Sequence, residues 1–171
     1  MFSERDMSVC PSLIAVSLPN KQSWAFEEIS DTVFEKDSHA SIVPSKYKGV
    51  YLIYLEQGLI DDVVKNFSLY SHAFISRVIP VKECGNDLDL VVRKSLLSLP
   101  KGFIKLIVHL REPLKGKVSE EDISNIVISQ GYKLTKKSNY ALVLENIEEY
   151  YISASGIIRK CGPSCITIYQ I

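Results

Sequence analysis

Long hydrophobic runs are missing from this sequence of 171 residues. A helix that spans a membrane needs about 20 consecutive apolar residues, and no apolar stretch here approaches that length. The first residues, MFSERDMSVCPS, mix charges of both signs and lack the apolar segment of a secretory signal. We therefore expect a cytoplasmic protein that does not enter a membrane.

Cysteine is scarce, and its spacing argues against a metal centre. The four cysteines, at positions 10, 84, 161 and 165, include no CxxC pair, so no zinc site is expected. The segment Cys161-Gly-Pro-Ser-Cys165 allows either a small disulfide loop or two reduced thiols. Of these two states we favour the reduced thiols.

Common catalytic and phosphate-binding motifs are also missing. The sequence contains no GxGxxG, GxxxxGK[ST], HExxH or GxSxG. Its three histidines are scattered, and His109 lies within an apolar strand, where a structural role is the simpler interpretation. Asp61 and Asp62 fall in the first turn of a predicted helix, where the helix dipole accounts for them. We therefore expect no catalytic residues, no cofactor and no enzymatic activity.

What the sequence does have is the composition of a folded protein, with 46% hydrophobic and 23% charged residues. Twenty basic residues balance 20 acidic ones, but residues 1–85 carry a net charge of −3 and residues 86–171 carry +3. Basic residues cluster between positions 93 and 117, and Lys133, Lys136 and Lys137 follow. Such local positive charge favours polyanions. A solvated surface without a ligand explains the same charges equally well.

Apolar periodicity predicts a mixed order of strands and helices, and therefore an α+β (mixed α/β) fold. Strands are predicted at 12–18, 41–43, 47–55, 73–81, 103–110, 140–144, 150–155 and 166–171. Helices are predicted at 22–35, at 59–67, from an N-cap at Asn86 to Leu99, and from a capping box at Ser119 to Gly131. Trp24 is interpreted as a core residue, and Glu145–Glu149 as an acidic turn between two antiparallel strands.

Several of these segments carry a resemblance to a known family. They are the strand FISRVIPV (74–81), the helix start DLDL (87–90), FIKLIVHLR (103–111) running into KGKVSEEDI (115–123), and the closing YALVLE (140–145) and YISASG (151–156). In these segments the chain resembles THUMP-domain proteins with an N-terminal ferredoxin-like domain. The resemblance implies a ferredoxin-like domain over residues 1–85, packed on a C-terminal α/β THUMP domain over residues 86–171.

THUMP domains bind the RNA in enzymes that thiolate, methylate or pseudouridylate tRNA, while a separate domain carries out the reaction. No such catalytic domain is recognised in this sequence. The chain is therefore most similar to the stand-alone adaptors that present tRNA to a cytidine acetyltransferase for N4-acetylcytidine formation. The resemblance therefore implies a non-catalytic tRNA-binding adaptor with a separate enzyme as its partner. The alternatives are an RNA-binding subunit of a split tRNA methyltransferase or thiouridine synthase, and a ferredoxin-like assembly module that binds only protein.

Candidate RNA contacts are basic side chains, because phosphates provide most of the affinity in RNA complexes. The principal candidates lie in the loop after strand 103–110: Arg111, Lys115 and Lys117. The further candidates are Lys105, Lys136, Lys137 and Arg77, and the aromatic side chains considered for base stacking are Tyr132 and Tyr140. A solvated loop is the alternative for the lysines, and an ion pair with an acid of the first half is the alternative for Arg77.

Overall fold

The computed structural model describes residues 10–171, which divide into two compact units. The first unit comprises the described residues up to Pro80 together with Arg159–Tyr169, and the second comprises Val81–Ile158 with the last two residues. The described chain contains four helices and ten strands, so the predicted α+β class is confirmed. None of these helices combines the length and the apolar character that crossing a membrane requires.

The first unit follows a β-α-β-β-α-β order. Its elements are β1 (Leu13–Ser17), α1 (Gln22–Lys36), β2 (Ser41–Pro44), β3 (Val50–Tyr54), α2 (Ile60–Leu69) and β4 (Ile75–Pro80). The strands lie side by side as β2-β3-β1-β4, each antiparallel to its neighbour. This order is the ferredoxin-like arrangement. The C-terminal strand β10 (Cys165–Tyr169) joins the sheet in parallel beside β4.

Helices α1 and α2 form the core of this unit together with the strands. Ala25, Ile29 and Val33 are four residues apart, which places them on one side of α1, and all three are fully buried. Trp24 was predicted to lie in the core, and this prediction is wrong because 56% of the residue is exposed. Trp24 lies beside the buried stripe, and its ring contacts Phe74 with 5.7 Å between the ring centroids.

The second unit combines five strands with two helices. Its elements are β5 (Glu83–Gly85), α3 (Leu88–Leu96), β6 (Phe103–His109), α4 (Glu120–Ser129), β7 (Lys133–Leu134), β8 (Tyr140–Ile147) and β9 (Tyr150–Gly162). The strand order is β5-β9-β8-β6-β7, with β6 parallel to both of its neighbours and β8 antiparallel to β9. From Arg159 onward, β9 belongs to the first unit.

Side-chain caps begin both helices of the second unit. Asp87, and not the predicted Asn86, caps α3, because its Oδ1 accepts the N–H of Leu90 at 3.2 Å. The predicted capping box of α4 is confirmed: Ser119 Oγ accepts the N–H of Asp122 at 3.1 Å, and Asp122 Oδ2 accepts the N–H of Ser119 at 3.0 Å. The hydrogen bond that the Asp122 carboxylate accepts from the Ser119 backbone is the main reason that the pKa of Asp122 is lowered.

A disulfide joins Cys161 and Cys165, so the prediction of two reduced thiols is wrong. Their Cα atoms are 4.9 Å apart, within the range that a disulfide requires. The hairpin between β9 and β10 produces this approach, and both residues are buried in the core of the first unit. The spacing of the two thiols can be read from the sequence, but the geometry of the hairpin that joins them cannot.

The buried histidine of the structure is His72, not His109, which is exposed at the end of β6. His72 Nδ1 is hydrogen-bonded to the carbonyl oxygen of Cys161 at 2.9 Å, and its Nε2 is hydrogen-bonded to Thr32 Oγ1 at 2.9 Å. The backbone N–H of His72 also donates to the Cys161 carbonyl at 2.8 Å. The end of β9 therefore lies directly against the backbone of His72.

Gly162→Ala is expected to destabilise the protein by about 3 kcal/mol or more, because overpacking against backbone cannot be relieved by a rotamer change. A Cβ at position 162 would lie 2.0 Å from the carbonyl oxygen of His72. Gly85→Ala is the matched control, since its Cβ would meet only Val91 Cγ2 at 3.6 Å. Urea unfolding measures both, and equal losses for the two variants would contradict the close approach.

Candidate nucleic-acid interface

Two of the predicted site residues line one cavity of the second unit, with a volume of about 390 Å³. Lys105 lies on β6, and Lys136 follows β7. The complete lining, which we call the basic cavity, consists of Lys105, Leu106, Glu120, Leu134, Thr135 and Lys136. Glu120 and Thr135 were not predicted as site residues, because the candidate RNA contacts were basic and aromatic side chains.

An exposed aromatic residue lies at the beginning of β6. Phe103 is 59% exposed, and Lys133 Nζ is 5.6 Å from the centroid of its ring. Ser138 Oγ donates to the Phe103 carbonyl at 2.9 Å and accepts the N–H of Tyr140 at 3.1 Å, which ties the start of β6 to the start of β8. Exposed aromatic rings among cations are the combination that single-stranded RNA requires for stacking and charge neutralisation. Phe103 was missed because it was assigned to the strand alone.

Tyr132 is too deeply buried to stack on a base. It is 3% exposed, and its hydroxyl donates to the carbonyl oxygens of Leu96 and Leu99 at 2.6 and 2.9 Å. Burial raises the pKa of the Tyr132 phenol. Tyr140, in contrast, is 36% exposed at the start of β8.

The loop after β6 presents Lys115 and Lys117 to solvent. Within the loop, the N–H groups of Leu114 and Lys115 both donate to the Arg111 carbonyl at 3.0 Å, and that of Lys117 donates to the Leu114 carbonyl at 3.0 Å. Gly116 has a φ of +86°, a conformation that glycine adopts without strain. The two lysines therefore extend from a hydrogen-bonded loop.

Arg111 fixes the base of this loop. Its guanidinium donates to Glu145 Oε1 at 2.6 Å and to the Asn146 carbonyl at 2.8 Å. The side chains of Arg111 and Glu145 are 14% and 0% exposed. Asn146 Oδ1 accepts the N–H of Arg111 at 2.6 Å, and Asn146 Nδ2 donates to the Arg111 carbonyl at 3.1 Å. Glu145 was predicted to lie in an acidic turn; instead it is buried within β8, and the turn follows Ile147.

The remaining predicted residues are dispersed. Lys137 is exposed next to Lys136, whereas Arg77 lies on β4 of the first unit, where it is half-buried. The structure thus brings Lys105 together with Lys136 at the basic cavity. It also places Lys115 and Lys117 on one loop. The guanidinium of Arg111 is hydrogen-bonded to Glu145 and to the backbone of Asn146.

No protein-family model matches this sequence, and no curated protein is significantly similar to it. Solved structures do share its fold. PH1313 from Pyrococcus horikoshii OT3 matches with a TM-score of 0.59 at 11% identity, over 86% of this chain and 54% of PH1313. A 4-thiouridine synthetase, solved in complex with RNA and ATP, matches with a TM-score of 0.56 at 14% identity, over 86% of this chain and 41% of the synthetase. The chain therefore spans about half of the length of these proteins, or less.

Arg111→Ala is expected to lower the free energy of unfolding by about 3–5 kcal/mol, because it removes the cation that faces the fully buried Glu145. Lys115→Ala, on the same loop but exposed, should change it by no more than about 0.5 kcal/mol. Chemical denaturation followed by circular dichroism measures both variants. A loss at Arg111 as small as that at Lys115 would contradict the anchoring role of Arg111.

Proposed function

We propose that this chain is a THUMP-type tRNA-binding protein, with its ferredoxin-like domain in residues 1–85 and its THUMP domain in residues 86–171. The observation that carries the proposal is the convergence of Lys105 and Lys136 on one cavity, together with the exposed ring of Phe103 two residues before Lys105 on β6. The resemblance in sequence and the shared fold with a synthetase solved in complex with RNA support it independently.

The spacing of the cationic groups favours an extended ligand. Phe103 and Lys105 are the first and third of the seven residues of β6, and the loop that carries Lys115 and Lys117 follows its end. At a rise of about 3.3 Å per residue, the end of β6 lies roughly 13 Å from Lys105 and roughly 20 Å from Phe103. A single phosphate cannot bridge that length, whereas a folded RNA presents phosphates over many such intervals.

Different residues would serve this binding in different ways. Lys115 and Lys117 are exposed and contact phosphates, while Arg111 holds their loop in place through Glu145 and Asn146. The carboxylate of Glu120 partly offsets the charge of the basic cavity, so its lysines provide modest affinity and the shape of the RNA contributes the rest. Lys137 and Arg77 remain further candidate contacts.

The role that we propose for this binding is non-catalytic. The chain would present tRNA to a separate enzyme, and the resemblance of its RVIPV segment (77–81) to the acetylation adaptors points to an acetyltransferase that forms N4-acetylcytidine. This partner would supply both the catalytic residues and the cofactor of the reaction.

The second candidate role is the RNA-binding part of a thiouridine synthase. The observation in its favour is the fold match with a 4-thiouridine synthetase, of which the chain covers 41%. Affinity purification followed by mass spectrometry of the copurifying proteins distinguishes the two roles. An acetyltransferase supports the adaptor role, and a sulfur-transfer protein supports the alternative.

Charge reversal on the loop tests the RNA contact directly. Lys115→Glu combined with Lys117→Glu is expected to weaken tRNA binding about tenfold and to reduce the slope of log K against log salt concentration by about 2, because each phosphate contact contributes about one unit. Fluorescence polarisation with labelled tRNA at several salt concentrations measures both quantities, and circular dichroism verifies that the fold is retained.

The matched control is Lys48→Glu combined with Lys65→Glu, which makes the same change in net charge at exposed positions of the first unit. Its affinity and salt dependence should stay close to those of the wild type. If both double variants lose affinity equally, only net charge matters and no surface is specified. If neither variant does, the loop does not contact RNA.

A further inference from the structure

A second group of side chains, in the first unit, brings three possible metal ligands together. Asp37, His39 and Glu56 each offer one ligand atom, and these three atoms lie within 4.8 Å of one another. Among residues 10–171, no other group of three or more His, Cys, Asp or Glu side chains brings its ligand atoms this close together. We propose that it binds a divalent transition-metal ion, with Zn²⁺ as the best fit. The proposed RNA binding uses none of these residues.

Asp37 is the fixed member of the group. It lies at the C-terminal end of α1, and it is 2% exposed. Its Oδ1 accepts the backbone N–H of His39 at 3.0 Å, and its Oδ2 accepts that of Glu56 at 2.7 Å. The residues that supply the other two ligands are therefore attached through their own backbones to the first. Hydrogen bonds that orient a ligating carboxylate in this way are typical of metal sites, and each oxygen keeps a second lone pair for the ion.

His39 and Glu56 provide the exposed side of the site. His39 Nδ1 is 2.9 Å from Glu56 Oε1, and their side chains are 78% and 56% exposed. Zinc lies about 2.0–2.2 Å from nitrogen and oxygen ligands, so two ligands of one ion are separated by no more than about 4.4 Å. The separation of His39 Nδ1 from Glu56 Oε1 is already within that limit, both side chains are exposed enough to adjust to an ion, and water can occupy the fourth position.

The donor set and its location favour zinc over the alkaline-earth ions. One imidazole nitrogen with two carboxylate oxygens is a set that Zn²⁺ accepts, whereas Mg²⁺ and Ca²⁺ prefer oxygen ligands alone. Two carboxylates contribute negative charge, and the C-terminal end of α1 adds the negative end of a helix dipole. A bound ion would connect the loop between α1 and β2 to the loop after β3, next to the mostly exposed strand β2.

Isothermal titration calorimetry with ZnCl₂ tests this site. The full chain is used without reductant, so that the disulfide stays closed. His39→Gln and Glu56→Gln change exposed side chains, so the fold should be retained, and each is expected to weaken zinc binding by about tenfold or more. His109→Gln, at the exposed histidine of the second unit, is the matched control and should bind as the wild type does. Zinc should also raise the melting temperature of the wild type but not of His39→Gln, and MgCl₂ should produce neither effect.

Three results would overturn the proposal. One is wild-type zinc binding no tighter than that of His39→Gln and Glu56→Gln. Another is an equal loss in His109→Gln, which would mean that zinc binds to histidines without regard to this site. The third is a response to MgCl₂ equal to that of zinc, since the imidazole ligand would then have no role.

Discussion

The buried ion pair between Arg111 and Glu145 is the interaction on which the proposed RNA-binding surface depends. Glu145 lies inside β8 with no exposed area, and a carboxylate removed from water requires a cation and further hydrogen bonds. Arg111 supplies the cation, and Asn146 holds the backbone of Arg111 through both its N–H and its carbonyl. The loop that carries Lys115 and Lys117 therefore leaves β6 in a defined direction, as a consequence of how the neighbouring strand is buried.

Acidic side chains of the first unit hold its loops in place. Several of its acids hold loops in place by accepting backbone N–H groups: Glu28 accepts those of Ala73 and Phe74, and Asp37 accepts those of His39 and Glu56. These two carboxylates therefore serve the fold, whereas Lys115 and Lys117 of the second unit are exposed, where they can meet a polyanion.

Periodicity was sufficient to predict the α+β class and the approximate positions of the long elements, because each buries one regular face. Periodicity failed to predict features that depend on contacts between distant parts of the chain. Strands β5 and β7 have three and two residues, too few for a period. Glu145 looked like a turn residue because the cation that permits its burial, Arg111, is 34 residues away along the chain. The basic cavity brings Lys105 together with Lys136, which the charge pattern suggested, but also with Glu120, which only the packing of α4 reveals.

The most direct test of the central claim is a fluorescence-polarisation titration of the wild-type chain against tRNA and against a duplex DNA of similar length. Both titrations are carried out at about 50 and 200 mM salt, a range over which several phosphate contacts change affinity strongly. We predict that the chain prefers tRNA and that its affinity for tRNA falls steeply as salt increases. Equal affinity for both nucleic acids, or no binding to either, would contradict the claim that this chain recognises tRNA.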